Sequence, residues 1–195
     1  MENTRMSLYD LIITKRSIRR FKQDAISDET IAKILEAARQ APSAANIQPL
    51  KYIVVHTQEM CEKFFQNTAW AGYLKGEGTP KKGQKPVLYV LILTDRKLCQ
   101  DGAKHDCGAS AQNMMLTAWE EGVGSCWIGS LQRDRLRSLL DIDERYEIDT
   151  AIAFGIADEK AVSEDTGDDI KYYRDGNSVH RVPKRKLAAL ILKKV

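Results

Sequence analysis

The densest chemical signal in this 195-residue chain is Lys15-Arg16-Ser17-Ile18-Arg19, three cations and a hydroxyl within five residues. Guanidinium forks, an ammonium and a hydroxyl are the donor set that closes around a phosphate dianion. From Ile12 to Lys22 there are five bases and no acid, and from His180 to Val195 six more, again without an acid. Between them, Asp158 to Asp169 holds six acids and one lysine. A single charge run is most often a solvated face. Two basic runs at opposite ends of a chain can nevertheless meet on one anion if the fold joins the termini.

Two further segments have residue types suited to holding a ligand. Ala41-Pro42-Ser43-Ala44-Ala45-Asn46-Ile47-Gln48-Pro49 confines small and polar residues between prolines. Such a loop is stiff and offers backbone N–H, hydroxyl and amide groups at set positions. Gly122-Val123-Gly124-Ser125-Cys126-Trp127-Ile128-Gly129 reads as a glycine-bounded strand that lets a flat ring approach the backbone. The second basic run centres on Pro183-Lys184-Arg185-Lys186.

Other signals do not hold. Gly78 and Gly83 have the spacing of a phosphate loop, but Gln84 stands where its lysine is required. A dinucleotide fingerprint would need glycine at Trp127. Cys99, His105, Asp106 and Cys107 fit no zinc spacing. Cys107 and His105 sit two apart in a helical stretch and do not face each other as a nucleophile pair. His56 alternates with apolar neighbours on a strand, and no serine elbow is present. No metal site is expected, and hard chemistry, if any, falls to a bound cofactor.

The elements that must position these segments follow from periodicity. Leu8, Leu11 and Ile12 predict a short helix from Ser7 to about Thr14 that ends in the basic loop. Ser27 caps a helix through Ile31, Ile34, Leu35 and Ala38, stopped near Ala41 by Pro42. Lys51–Thr57 reads as a strand, Glu59–Asn67 as a helix, and Gly72–Lys85 as a mobile loop rich in glycine and lysine. Val87–Thr94 is apolar on both faces and so central in its sheet. A long small-residue helix is expected over Asp106–Glu121, then a strand at Ser125–Ile128, a helix at Arg133–Leu140 and a strand at Thr150–Ile156. The tail from Lys171 shows no strong period before Leu187. This is α+β or mixed α/β, in a single domain spanning residues 1–195.

Composition excludes whole classes. With 43% apolar and 29% charged residues the chain is globular rather than disordered. A net charge of +3 is too near balance for a dedicated nucleic-acid binder. The longest apolar run, Val87–Leu93, is too short to span a membrane. Met1–Met6 lacks a secretory core, and four cysteines in no disulfide pattern suit a reducing cytoplasm. A cytoplasmic protein is expected.

At this point the chain resembles the nitroreductase family of flavin mononucleotide (FMN) enzymes. The likeness runs through nearly the whole chain: the basic loop, the Pro42-Ser43-Ala44 loop with Asn46 and Gln48-Pro49, the Asp106 helix with Gln112-Asn113-Met114, the Ser125–Gly129 strand, Ala153-Phe154-Gly155 and the basic tail. The resemblance implies an α+β fold, a mainly antiparallel sheet flanked by helices, with a C-terminal extension wrapping the partner subunit. It implies that Lys15, Arg16, Ser17 and Arg19, with Lys184 or Arg185, grip the FMN phosphate. Pro42, Ser43, Ala44 and Asn46 would reach the flavin of the other subunit of an obligate homodimer, and Ile128 and Gly129 would lie by the ring. NAD(P)H would reduce the flavin in a first half-reaction. A small electron-poor acceptor (nitroaromatic, quinone or enone) would then be reduced in a second, with no acid–base side chain required. Lys15 stands where the family more often has arginine, and residues 64–85 match no family pattern. Trp70, Tyr73 and Lys75 in that stretch are candidates for the ring site. Two other readings stand beside this one: a family member with different flavin chemistry (reductive dehalogenation or flavin consumption), and more distantly a non-catalytic phosphate- or RNA-binding module.

Overall fold

The computed structural model describes residues 6–195. Three helices start on caps that the sequence supplies. The hydroxyls of Ser7, Ser27 and Thr57 accept the N–H groups of Asp10, Thr30 and Met60 at the heads of α1 (Leu8–Thr14), α2 (Asp28–Arg39) and α3 (Gln58–Phe65). Each cap satisfies an N–H that the helix itself cannot pair.

Four strands form an antiparallel sheet in the order β1-β2-β4-β3: β1 (Leu50–Val55), β2 (Leu88–Asp95), β3 (Val123–Ile128) and β4 (Tyr146–Ile156). β2 is buried along its entire length, as its two-faced apolar sequence predicts. Tyr89, Leu91 and Leu93 pack on one face with Phe64, Leu136 and Phe21. Leu88, Val90 and Ile92 pack on the other with Ile34 and Ala38 of α2 and with Ala111, Met114 and Met115 of α4 (Lys104–Glu120). The small residues of α4 let α2 lie close, and Asn113 Nδ2 donates to the Ala37 carbonyl at 3.1 Å. α5 (Arg133–Leu139) covers the first face through Leu136.

A second, smaller sheet, unforeseen in the tail, has the order β5-β7-β6: β5 (Ala161–Thr166), β6 (Tyr173–Arg174) and β7 (His180–Arg185). β5 and β7 are parallel, pairing Asp165 with Lys184. The sequence conceals them because β5 lies in the acidic run and β7 carries Pro183. β4 also begins at Tyr146, earlier than Thr150. Gly72–Lys85, expected as a mobile loop, is tethered instead. Residues 72–74 form a 3-10 turn, Gly78 and Pro80 are buried, and the Gln84 carbonyl accepts the Phe21 N–H at 3.1 Å. Among the described residues no helix is long and apolar enough to cross a membrane.

Candidate functional site

The basic loop leaves α1 and lies along the open edge of β3. Ser17 bridges Ser125, and the Ile18 N–H donates to the Ser125 carbonyl at 2.9 Å. Two glycines make this contact possible. A Cβ on Gly124 would meet Ile18 at 3.0 Å, and one on Gly155, its partner in register, would meet Phe21 at 2.8 Å. Gly124 therefore seats the loop and not a ring, which corrects the expectation for that glycine. Gly129 has nothing within 4 Å of where its Cβ would stand, and it is the open glycine of the Gly122–Gly129 segment that lines the neighbouring cavity.

The cations converge from both ends of the chain. Burial pushes the Lys15 ammonium below its ordinary value, and the charges of Arg16, Lys184 and Arg19 push the same way, with only the nearby Cys126 thiol opposing. Burial also lowers Arg16. Among the described residues no side-chain nitrogen of Lys15, Arg16, Arg19 or Lys184 has a carboxylate oxygen within 4 Å. Lys15 Nζ lies 3.1 Å from Met115 Sδ, and the Arg16 guanidinium bonds Ser163 Oγ and the Ile13 carbonyl. Among the described residues Arg16 Nε and Ser125 Oγ are buried with no hydrogen-bond partner. Gathering cations against one another in a half-buried place is unfavourable unless an anion offsets them. The nearest acid, Glu159, is taken up by the Arg19 N–H and the Arg174 guanidinium. Both tail bases are exposed at the end of β7, and Lys184 is the one whose charge acts on Lys15.

Beside this cluster lies a cavity of about 320 Å³, lined by Arg19, by Cys126–Ser130, by Ala69–Gly72 and by Tyr172. β3 is the edge strand of the sheet, paired with β4 on one side, and past Ser125 its other side borders this space. Trp127 Nε1 donates to Thr150 Oγ1, which donates to the Ile128 carbonyl, both at 2.7 Å, and these bonds fix the strand's end. Ile128 and Gly129 thus stand where a flat ligand can reach them. Sequence reasoning missed Ala71, Gly72 and Tyr172 and named Trp70 only as a candidate. The stretch 67–70 is laced to the residues after β3: the Ala69 N–H donates to the Ser130 carbonyl at 3.0 Å and the Gln132 N–H to the Asn67 carbonyl at 2.9 Å. Trp70 lines the cavity, with Nε1 donating to Thr68 Oγ1 at 2.8 Å.

The Pro42–Gln48 loop is not part of this cavity. Ser43 Oγ donates to Asp106 Oδ2 and accepts the Gln48 N–H at 2.9 Å, while the Ala44 N–H donates to Asp106 Oδ1 at 3.2 Å. Ala45, Asn46 and Gln48 take positive φ, and Pro42, Ala44 and Asn46 are exposed. Asp106 and Met115 are nine residues apart on α4, about 13 Å at 1.5 Å per residue, so the loop and the cation cluster sit at opposite ends of that helix. The three buried thiols offer no activated nucleophile: burial pushes Cys61 up to about 11, Cys107 up to about 12, and Cys126 up as well. Among the described residues no group of His, Cys, Asp or Glu is arranged to hold a metal.

The comparison with known proteins is consistent with this geometry. The nitroreductase family model matches residues 12–156. The chain belongs to the nitroreductase family. An Archaeoglobus fulgidus protein with the provisional name NADH dehydrogenase/NAD(P)H nitroreductase is 36% identical over 152 residues, 74% of this chain and 82% of that protein. A Staphylococcus haemolyticus NADPH-dependent oxidoreductase is 27% identical over 158 residues, covering 70% of this chain and 59% of its own. A provisionally named nitroreductase from Desulfovibrio desulfuricans, solved in complex with FMN, superposes with a TM-score of 0.74 at 27% identity over 100% of this chain and 99% of that one. The α+β fold with its antiparallel sheet is therefore the nitroreductase fold, and the likeness to the FMN complex extends through the tail sheet.

Proposed function

We propose that this family member is an FMN-dependent oxidoreductase that carries reducing equivalents from NAD(P)H to an electron-poor acceptor such as a nitroaromatic, quinone or enone. The observation that carries the reading is the gathering of Lys15, Arg16, Arg19 and Lys184, whose side chains make no ion pair among the described residues, next to a cavity edged by Ile128 and Gly129. The orphaned Arg16 Nε and Ser125 Oγ fit the same reading, because a phosphate ester offers acceptors to both. Lys15, Arg16, Ser17, Arg19 and a tail base, Lys184 or Arg185, would hold that phosphate.

Bound FMN would supply the two-electron chemistry, taking hydride from NAD(P)H in one half-reaction and reducing the acceptor in the next. The chain's own residues bind and orient. The cations bring the phosphate to one end of the cavity, the β3 edge presents backbone groups at Ile128 and Gly129, and Trp70 with Tyr172 limits water at the other walls. No side chain is needed as acid or base. Pro42, Ser43, Ala44 and Asn46, in the loop that Ser43 and Ala44 tie to Asp106 and that lines no part of the ring cavity, serve the site of a second copy in a homodimer wrapped by its C-terminal segments. Residues 1–195 act as one domain, and the unpaired thiols suit a cytoplasmic setting.

Purified protein should be yellow or take up one FMN per chain, and anaerobic NADH or NADPH should bleach it in a step independent of acceptor. Colourless protein that binds no added FMN overturns the proposal. Mixed dimers of parent and Ser43→Trp chains should keep one working site, and loss of both would overturn the cross-subunit role.

A further inference from the structure

We propose that Tyr172, held against Tyr73, is the outer wall of the ring cavity and selects acceptors by bulk. The inference rests on the oxidoreductase reading above and assigns it a specificity-determining pair. Tyr172 lies in the short connection before β6, outside the matched family segment, yet it lines the same cavity as Ile128 and Gly129. Its ring is placed by three neighbours from three parts of the chain. The Arg19 guanidinium lies 5.0 Å from its centroid, the His180 ring 5.4 Å and the Tyr73 ring 4.9 Å.

These neighbours differ in how firmly they are held. His180 is buried and its Nε2 accepts from Arg19 Nη1 at 3.0 Å, so the inner side of Tyr172 is fixed. Tyr73 is half exposed and closes the outer side from the 72–74 turn. That turn is bracketed by left-handed residues, Ala71 at φ 41° and Lys75 at φ 45°, a conformation that L-residues hold only when their surroundings impose it. Gly78 backs the turn so closely that a Cβ there would stand 2.2 Å from that of Ala71. The turn thus has little room to shift toward Gly78, and it holds the Tyr73 ring in contact with Tyr172.

A cavity of about 320 Å³ is at the small end for ligand pockets. Once a flat ring lies along Ile128 and Gly129, an acceptor has to enter past the two tyrosines. A slim planar molecule fits such a gap, and branched substituents beside its ring strike the tyrosine pair. The described contacts of Tyr172 are all made by its ring, so the wall acts by shape and not by its hydroxyl.

The test compares kcat/KM for 1,4-benzoquinone and 2,6-di-tert-butyl-1,4-benzoquinone, with NADPH or NADH as donor, in FMN-loaded protein. The ratio of bulky to slim quinone should rise at least tenfold in Tyr172→Ala and at least threefold in Tyr73→Ala, and stay at the parental value in Tyr172→Phe. Among the described residues the ring contact of Tyr73 is with Tyr172, and it is Tyr172 that Arg19 lies against, so Tyr73→Ala decides the matter if Tyr172→Ala loses FMN by releasing Arg19. Ratios within twofold of the parent in every loaded alanine variant overturn the inference. Loss of FMN from Tyr73→Ala does so too, because it would make that residue a structural support. A parent that turns over but fails this comparison overturns the wall alone; a parent that binds no FMN overturns the functional reading and the wall with it.

Discussion

Gly155 lies under Phe21, where an alanine methyl would stand 2.8 Å from both the Cβ and the Cδ1 of that ring. Phe21 is fully buried, so the ring has nowhere to swing, and its Cβ moves only with the backbone. The segment Ile18–Lys22 must then lift from the edge of the sheet. Its attachments are the Ile18 N–H to the Ser125 carbonyl at 2.9 Å, the Phe21 N–H to Gln84 at 3.1 Å, the Lys22 N–H to Ile156 at 2.8 Å and the Arg20 carbonyl from the Asp158 N–H at 2.8 Å. Overpacking of a filled core costs about 1–3 kcal/mol, and each hydrogen bond stretched adds about 1 kcal/mol. A total of about 3 kcal/mol lowers Tm by about 6–12 °C in a chain of this length. Because this segment carries Arg19 and continues directly from the loop that holds Arg16, FMN affinity should fall at least tenfold in parallel. Thermal unfolding of the apo chain and a fluorescence titration with FMN read the two effects separately. Gly129→Ala is the control: its site is open, and its Tm should stay parental. Gly155→Ala with parental Tm and parental affinity would refute the account of how the loop is seated. A lowered Tm with unchanged affinity in the folded fraction would refute the link between that seat and the phosphate.

Arg16→Ala and Arg19→Ala should each weaken FMN binding by about 2 kcal/mol, close to thirtyfold in Kd, as expected for a charge-assisted bond; unchanged affinity in both, measured calorimetrically, would discredit the phosphate site. FMN binding should take up protons at alkaline pH, because Lys15 is held below its ordinary value by burial and neighbouring cations until a phosphate restores it. Affinity should therefore fall by up to about tenfold per pH unit as pH rises past the lowered value, and a Lys15→Met variant should lose that slope. His180 gives a dependence at acid pH. Burial and then Arg19 lower it from 6.5 to about 4, so below pH 6.5 the unfolded chain binds more protons than the folded one. Its contribution is complete above pH 6.5 and lost as pH falls toward 4, by about 2–3 kcal/mol, and urea unfolding of His180→Gln should show that much less acid sensitivity.

The parts of this protein that read well from sequence are those whose physics is local. Ser27 before Asp28 and Glu29 marks a helix start because cap and dipole act within one turn. Val87–Leu93 reads as a central strand because both its faces must be apolar, and both are covered. The convergence of the two basic runs was legible for a different reason: a balanced net charge that hides two acid-free segments leaves an anion to be accounted for. Gly124 was legible as a close approach but not as to what approaches. Only the fold shows that Ile18 fills that space while Gly129 stays open.

The walls of the cavity were the illegible part, and the reason is physical. Ala69–Gly72 and Tyr172 belong to no periodic element, carry no charge pattern, and get their positions from single long-range bonds such as Ala69 to Ser130. β5 and β7 stabilise each other as parallel neighbours, an arrangement that needs a long connection and leaves no turn signature. Their outward residues are charged because the sheet is small and solvated on one side, so the alternation reads as an acidic run followed by a basic one. Yet this small sheet carries Lys184 to the basic loop and holds His180 between Arg19 and Tyr172. One late segment would therefore supply both a cation for the proposed phosphate site and a cavity wall. Its placement couples the two ends of the site: a change that shifts β7 must move Lys184 relative to Lys15 and Tyr172 relative to Ile128 together, and FMN affinity and acceptor selectivity should then change in the same variants.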